Sequence, residues 1–442
     1  MKKENNYTLA FSHNNRDFQD PQGFDLLART EPYYEWQDNC QRLNLWTYGN
    51  RVLHSAPKTT TSICDGLGVL TENAINLGSQ DYLSLANNEQ IKEVAIATIR
   101  DYGVHSAGSA AVMGNTDISL RLESALADFL KMEQVTLYPT GWAAGYGAIR
   151  GLVRDHDYIV MDELSHNCLK EGAAAATKKI SNFKHLDVES AAKLLARIRK
   201  QDTKNGILLI TESLFSMDSD TPDIAKFQEI CHEYQATLLV DVAHDLGAMG
   251  EGGTGALGMQ NMLGKVDIVM GSFSKTFASN GGFVATRLPA VNGYLKSYSP
   301  SHMFSNALSP AQAATILEAL SIVTSPLGES LRTKLMDNVI SLRNESLNKG
   351  MIVIGTPSPI VPILISEKEE HRKGNVKARL VSRHLPPLGL LANIHGYPAV
   401  PLGLTRVRLQ VMAEHTPEMM VLAVDKLVQA MLLAESELND LV

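Results

Sequence analysis

Gly141, His166, Ser216, Asp241, His244, Ser272 and Lys275 are of types that do chemistry, and each follows a short apolar run. After Val135–Tyr138 come Pro139-Thr140-Gly141-Trp142. After Tyr158–Met161 come Asp162-Glu163-Leu164-Ser165-His166. Ile207–Ile210 leads into Thr211-Glu212-Ser213-Leu214-Phe215-Ser216, and Thr237–Val240 into Asp241-Val242-Ala243-His244. Ile268–Met270 leads into Gly271-Ser272-Phe273-Ser274-Lys275. Successive run ends thus carry a glycine turn, a histidine, a serine, an aspartate/histidine pair and a lysine.

An open parallel sheet places its ligands beyond the carboxyl ends of its strands, so residues following successive runs share one edge. Together they suit an electrophilic cofactor with a phosphate handle. A helix opening at Gly141 offers backbone N–H groups and its positive end to a phosphate. Ser272 adds a hydroxyl. Lys275 forms a Schiff base where burial or nearby cations lower its pKa. Asp241 holds a ring nitrogen protonated, the partner pyridoxal phosphate needs to act as an electron sink. His244 suits a ring oxygen, and His166 offers a flat face for stacking. Singly, each has a plainer role as a cap, a core histidine, a solvated lysine or a turn. Their shared placement favours the joint reading.

The elements that must position them follow from the same pattern. Runs of three to five β-branched and aliphatic residues, including Phe283–Ala285, predict strands buried on both faces. Ser190–Lys200 and Asp223–Tyr234 predict helices between them, and Ile118–Met132 puts Leu122, Leu126 and Leu130 on one helical face. This alternation predicts an α/β fold with a mostly parallel central sheet. After residue 300 a helix from Pro310, strands at Ile360–Ile365 and Val407–Val411, and a helix from Thr416-Pro417 to Leu433 predict a smaller α+β domain. The expected division is 1–75, an N-terminal arm; 76–300, the large cofactor-binding domain; and 301–442, the small C-terminal domain. The arm carries Tyr33, Tyr34, Trp36, Trp46 and Tyr48, and Lys58–Ile63 reads as a linker or short strand.

Composition removes other classes. The 442 residues are 44% apolar and 20% charged, with a net charge of -8, which gives no reason to expect nucleic acid as a partner. No apolar run reaches the roughly 20 residues of a membrane span. The start, MKKENNYTLAFSHNNRDF, lacks the apolar core of a secretory signal. Cys40, Cys64, Cys168 and Cys231 are scattered, which fits a reducing, cytoplasmic setting. No metal site is expected: Asp218 and Asp220 lack a third ligand and read as a turn. Gly250–Gly255 satisfies GxGxxG but stands too far beyond its strand for a dinucleotide turn, so a flexible loop is expected.

The stretches LGSQDYLSLANN, GSAAVMGNTDISLRLESALADFL, MDELSH, ITESLFSMDSD, LLVDVAHDLGAMG, VMGSFSKTFASNGGFVA, MFSNALSP and RVRLQVMAEHT carry a resemblance over Asn76 to Leu427. It is to the α-oxoamine synthases of the fold-type I pyridoxal-phosphate enzymes. DELSH, FSMDSD, SPIVPILI and GYPAVP are most similar in wording to serine palmitoyltransferases. The resemblance implies a decarboxylative condensation of an L-amino acid with an acyl thioester, acyl-coenzyme A or acyl-carrier protein, giving a 2-amino ketone. It implies pyridoxal 5'-phosphate and a homodimer with a shared active site. Lys275 matches the aldimine-forming, proton-shuttling lysine; Asp241 the ring-nitrogen partner; His244 the phenolic-oxygen contact; His166 the stacking residue. Gly141, Trp142 and Ser272 match phosphate contacts, Ser216 a serine near the cofactor, and Ser305 a residue reaching the neighbouring subunit's phosphate. Arg408 matches the carboxylate-binding arginine, with Arg406 the competitor.

Departures from the pattern concern the substrates. Gln80 stands where the family has Asn near the substrate, Ala110 where a polar residue is usual, and Ser119 where His is common. Asn167-Cys168 follow His166 in place of Ala-Ser, Val242 replaces an acidic residue, and Asp245 replaces Ser or Gly. Two other readings stay open on sequence: a different fold-type I activity, such as an aminotransferase or lyase, or a non-catalytic partner subunit. The presence of Lys275, Asp241 and His244 argues against the second.

Overall fold

The computed structural model describes residues 9–46, 49, 51–365 and 371–441. Tyr48 and residues 1–8 of the N-terminal stretch lie outside them. The described chain groups into two compact units. The larger comprises Gln80–Ser216 and Asp220–Thr333; the smaller comprises residues before Gln80, Met217–Ser219 and residues from Lys334 on. Relative to the expected division, the N-terminal segment groups with C-terminal residues rather than standing apart, and 301–333 groups with the central sheet.

The larger unit is built on seven strands: β1 Gln134–Tyr138, β2 Tyr158–Asp162, β3 Ile180–Phe183, β4 Ile207–Glu212, β5 Thr237–Asp241, β6 Ile268–Ser272 and β7 Gly282–Thr286. Their order is β1-β7-β6-β5-β4-β2-β3. Neighbours from β3 to β6 pair in parallel, and β7 runs antiparallel to both β6 and β1. The turn from β6 to β7, which carries Lys275, is too short for the helical crossover a parallel pair requires. β1, β2, β4, β5 and β6 therefore end at one edge. The expected strands are all present; β3 was not foreseen, because this edge strand is polar and buries only Phe183.

Burial explains the continuous apolar runs. Every residue of β4 and β6 is buried, with Leu209, Ile210 and Val269 at 0% exposure. Each such side chain contributes about 1.5–3 kcal/mol through removal from water. Helices α1 Asp117–Leu130, α2 Gly141–Leu152, α3 Asn167–Ala176, α4 Val188–Gln201 and α5 Ile224–Glu233 alternate with the strands. Each starts where a side chain accepts a first-turn N–H: Thr116, Thr140, His166, Asp187 and Asp223. α1 buries Leu122, Leu126 and Leu130 as its spacing predicts.

Gly250–Gly255 is a tight turn, not the loose loop expected. Gly250, Gly252, Gly253 and Gly255 all have positive φ, and a short helix Gly255–Met259 follows directly. Asp245 fastens it by accepting the N–H of Ala256 at 2.6 Å.

The smaller unit has a four-stranded sheet, in which Thr60–Cys64 settles the Lys58–Ile63 stretch as a strand, and a three-stranded antiparallel sheet. The latter sets Arg406–Gln410 between Ile360–Leu364 and Asn393–His395. The final helix, Pro417–Leu441, runs beyond the expected Leu433. N-terminal aromatics pack together, Trp36 stacking on Phe18 at 5.1 Å and meeting Trp46 edge-on at 5.4 Å. The Arg379 guanidinium lies over Trp36 at 4.7 Å and also donates to the carbonyl of Ala10 at 2.7 Å. No helix among the described residues is long and apolar enough to cross a membrane.

Candidate active site

The shared strand edge encloses a cavity of about 240 Å³. Gly141, Trp142, His166, Asp241, His244, Ser272 and Lys275 all line it. At one end α2 begins. Thr140 caps it by accepting the N–H of Ala143 at 3.0 Å, which leaves the N–H groups of Gly141 and Trp142 in the first turn. A Cβ on Gly141 would lie 2.4 Å from both Cβ and Oγ of Ser272. Only glycine lets the helix start come so close to the end of β6, where the Ser272 and Ser274 hydroxyls stand 2.8 Å apart. Backbone donors, a helix dipole and two hydroxyls make a dianion site. Gly141→Ala is expected to force these elements apart and to weaken pyridoxal phosphate binding about tenfold or more, measured by titrating the apoprotein.

Asp241 ends β5 with its carboxyl in the cavity wall. Burial pushes its pKa up to about 6, against the Lys275 charge and the N–H of Ala243 at 2.9 Å. Glu212, which ends the adjacent strand β4, is 3% exposed. Burial, with Asp241's charge beside it, holds Glu212 well above the usual carboxylate range. Two buried acids therefore face the cation of Lys275, a half-buried residue of the β6–β7 turn. His244 is buried, its Nδ1 2.9 Å from the hydroxyl of Tyr82.

His166 caps α3 through its own ring: Nδ1 accepts the N–H of Cys168 at 3.3 Å and lies 3.0 Å from Cys168 Sγ. A backbone N–H can only donate, so in the neutral ring the proton sits on Nε2. Its backbone N–H donates to Glu212. Burial, with the charges of Asp241 and Glu212, raises the Cys168 pKa and keeps the group a thiol.

Other expected residues fall elsewhere. Gln80, Ser216 and Ser305 are half-buried in the larger unit but are not among the residues lining the cavity. Arg408 belongs to the smaller unit, buried on the central strand opposite Pro362 and Asn393. Its competitor Arg406 is committed within that unit to Asp218 at 2.7 Å and the carbonyl of Met217 at 2.9 Å. Asp220 is likewise engaged, 3.1 Å from His185, which also meets Asp162 at 2.9 Å. Burial alone would lower the pKa of His185, but these two carboxylates raise it to about 10.

Glu212, Ser274 and Tyr82 are among the residues in or beside the cavity to which sequence reasoning gave no role. A carboxylate closing a fully buried strand, as at Asp241, was the available sign for Glu212. Tyr82 lies far from His244 in sequence, and only the fold joins them.

A pyridine aldehyde bearing a phosphate fits this donor set. A dianion site lies at Gly141, a buried carboxyl suits a ring nitrogen, and an amine shares the cavity. Residues 72–427 match the family described as aminotransferase class I and II. The chain is 34% identical to a serine palmitoyltransferase of Sphingobacterium spiritivorum over 86% of its length and 90% of the relative's. It is 33% identical to an 8-amino-7-oxononanoate synthase of Petrotoga mobilis, covering 80% of this chain and 88% of that one. A solved serine palmitoyltransferase with its pyridoxal phosphate internal aldimine superposes with a TM-score of 0.83 at 24% identity, covering 92% of this chain and 98% of that one.

Proposed function

The chain belongs to the aminotransferase class I and II family, in its α-oxoamine synthase branch, and on that premise we propose how its residues carry the branch's reaction. It is a pyridoxal-phosphate-dependent acyltransferase that joins an amino acid to an acyl thioester with loss of CO₂. The observation that most supports the assignment is the convergence of Gly141, His166, Asp241, His244, Ser272 and Lys275 on one cavity.

Pyridoxal phosphate, when bound, supplies an electron sink for the negative charge that develops at the amino acid's α-carbon. The N–H groups of Gly141 and Trp142, with the Ser272 hydroxyl, would hold its phosphate. Asp241 would keep the ring nitrogen protonated, a task that suits a buried carboxylate because no water competes for the charge. His244, braced by Tyr82, would donate to the phenolic oxygen. His166 would offer the flat face of its imidazole to the ring. Lys275 would hold the cofactor through its amine, and its Nζ, when free, would be the base that takes and returns the proton at the amino acid's α-carbon. Arg408 binds the substrate carboxylate, for which a planar fork of donors is suited. Ser216 and Gln80 are assigned supporting contacts to cofactor and substrate.

We further assign a homodimer in which Ser305 reaches the neighbouring subunit's phosphate, and a cytoplasmic setting, consistent with four free cysteines. The substrate pair to try first is serine with a long-chain acyl thioester. Titrating the yellow protein with each L-amino acid, then adding acyl-coenzyme A or acyl-carrier-protein thioesters and following thiol release, tests it. A spectral response to some amino acid followed by thiol release is expected; no response to any amino acid contradicts the reading.

The two arginines are expected to part in behaviour. Arg406→Ala breaks an ion pair whose arginine is 2% exposed and costs roughly 3 kcal/mol of stability, seen as a lower melting temperature. Arg408→Ala instead raises KM for the amino acid roughly 10- to 100-fold, the worth of a charge-assisted contact.

A further inference from the structure

Asp245 and the glycine turn Gly250–Gly255 have no part in the chemistry above, yet they touch, and both connect to Asp241. Ser213 is the link. Its N–H donates to the carbonyl oxygen of Asp241 at 2.8 Å. Its hydroxyl lies 3.0 Å from that same oxygen and 2.5 Å from Oδ1 of Asp245. The other oxygen, Oδ2, accepts the N–H of Ala256 at 2.6 Å. Gly255 has a φ of +63°, and a Cβ there would come within 2.6 Å of Oδ2. Ser213 and Asp245 are both at 0% exposure, so water has no share in these bonds.

We propose that Asp245 is a positioning residue for Asp241: through Ser213 it fixes the strand end that bears the Asp241 carboxyl, and through Ala256 it fastens the glycine turn to that strand end. The proposal rests on the reading of Asp241 as the ring-nitrogen partner. A carboxyl at 245 is not what the family pattern offers there, and a serine or glycine would not reach both donors as Asp245 does. The bonds matter because the Asp241 carboxyl is held by little else on its own segment than the N–H of Ala243. A strand end free to shift would take the carboxyl with it, and a buried partner misplaced by about an ångström loses most of its use.

Burial raises the Asp245 pKa to about 6; the Ser213 and Ala256 bonds oppose this, and the Asp241 charge adds to it. The Lys275 cation acts on Asp241 and Glu212, so the part assigned to Asp245 lies in its two bonds rather than in its charge.

Two quantities test the proposal: the affinity of the apoprotein for pyridoxal phosphate, and the pH midpoint of the bound cofactor's visible band. They are measured for Asp245→Ala, Asp245→Asn and Ser213→Ala, beside Asp241→Asn. Asp245→Ala and Ser213→Ala are expected to weaken binding roughly tenfold and to move the midpoint in the same direction as Asp241→Asn. Asp245→Asn is expected to stay within about twofold of the parent affinity, because its amide oxygen accepts from Ala256 and its NH₂ donates to Ser213. Asp245→Ser replaces the alanine variant if that one does not fold. Parent-like affinity and midpoint in Asp245→Ala, beside an impaired Asp241→Asn, overturn the role of Asp245 alone. Asp245→Asn as damaging as Asp245→Ala also overturns it. A parent-like Asp241→Asn overturns the underlying reading of Asp241, and the proposal with it.

Discussion

Lys275→Ala is expected to lower turnover by roughly four orders of magnitude or more and to abolish the visible absorbance that lysine-linked pyridoxal phosphate gives the protein. Both losses follow from one missing amine. The turn keeps its path without the side chain, since Lys275 is only half-buried and the strands it joins are paired along their full lengths. The apoprotein's melting temperature should therefore change little. Its electrostatics will change, because Lys275 is the cation that holds down the pKa values of Asp241 and Glu212. Without it both acids move further towards their neutral forms. The phosphate contacts proposed at Gly141, Trp142 and Ser272 do not involve Lys275, so the variant should still bind the cofactor, more weakly and without colour. A variant keeping both absorbance and turnover would remove Lys275 from the mechanism.

Asp241→Asn is expected to lower turnover roughly 100- to 10,000-fold while making the apoprotein more stable at alkaline pH. The first effect is the loss of the group proposed to keep the ring nitrogen protonated. The second comes from the direction of its pKa shift. The folded-state value, about 6, lies above the ordinary 3.8. As pH rises between those values the unfolded chain releases its proton while the folded chain retains it, so stability falls across that window. The deficit, on the order of 2 to 3 kcal/mol, persists above it. Asparagine carries no such deficit. It also relieves Glu212 and Asp245, whose pKa values the Asp241 charge raises. Melting curves of the two apoproteins should coincide near pH 4 and separate by pH 8, with the variant higher. A variant less stable at pH 8 would mean that Asp241 is not strained by burial.

The cofactor-facing edge was legible in the sequence because buried parallel strands leave continuous apolar runs, and the residues just beyond each run lie on one edge. That logic places Gly141, His166, Asp241, His244, Ser272 and Lys275 together from their positions in the chain alone. It fails where the physical cause is tertiary. Strand β3 is a polar edge strand with one buried side chain, so it has no periodic signature. Tyr82 meets His244 only because the chain folds back, and Glu212 is acidic at a place where a bare strand-end carboxylate usually means a cap or turn. The glycine run at Gly250–Gly255 looked loose because its anchor, the Asp245 carboxyl, is a buried group whose donors are unrelated to it in sequence. Arg406 and Arg408 share a strand face, and sequence could rank them only by likeness; the ion pair of Arg406 with Asp218 gives a physical reason for the same ranking.

The central claim is a condensation that releases CO₂ at this cavity. Its most direct measurement uses an amino acid labelled in the carboxyl carbon, supplied with an acyl thioester to the holoprotein, with labelled CO₂, free thiol and amine product counted together. One CO₂ and one thiol per 2-amino ketone, all three absent with Lys275→Ala, is the predicted result. Formation of a keto acid with the label still in its carboxyl group would contradict it.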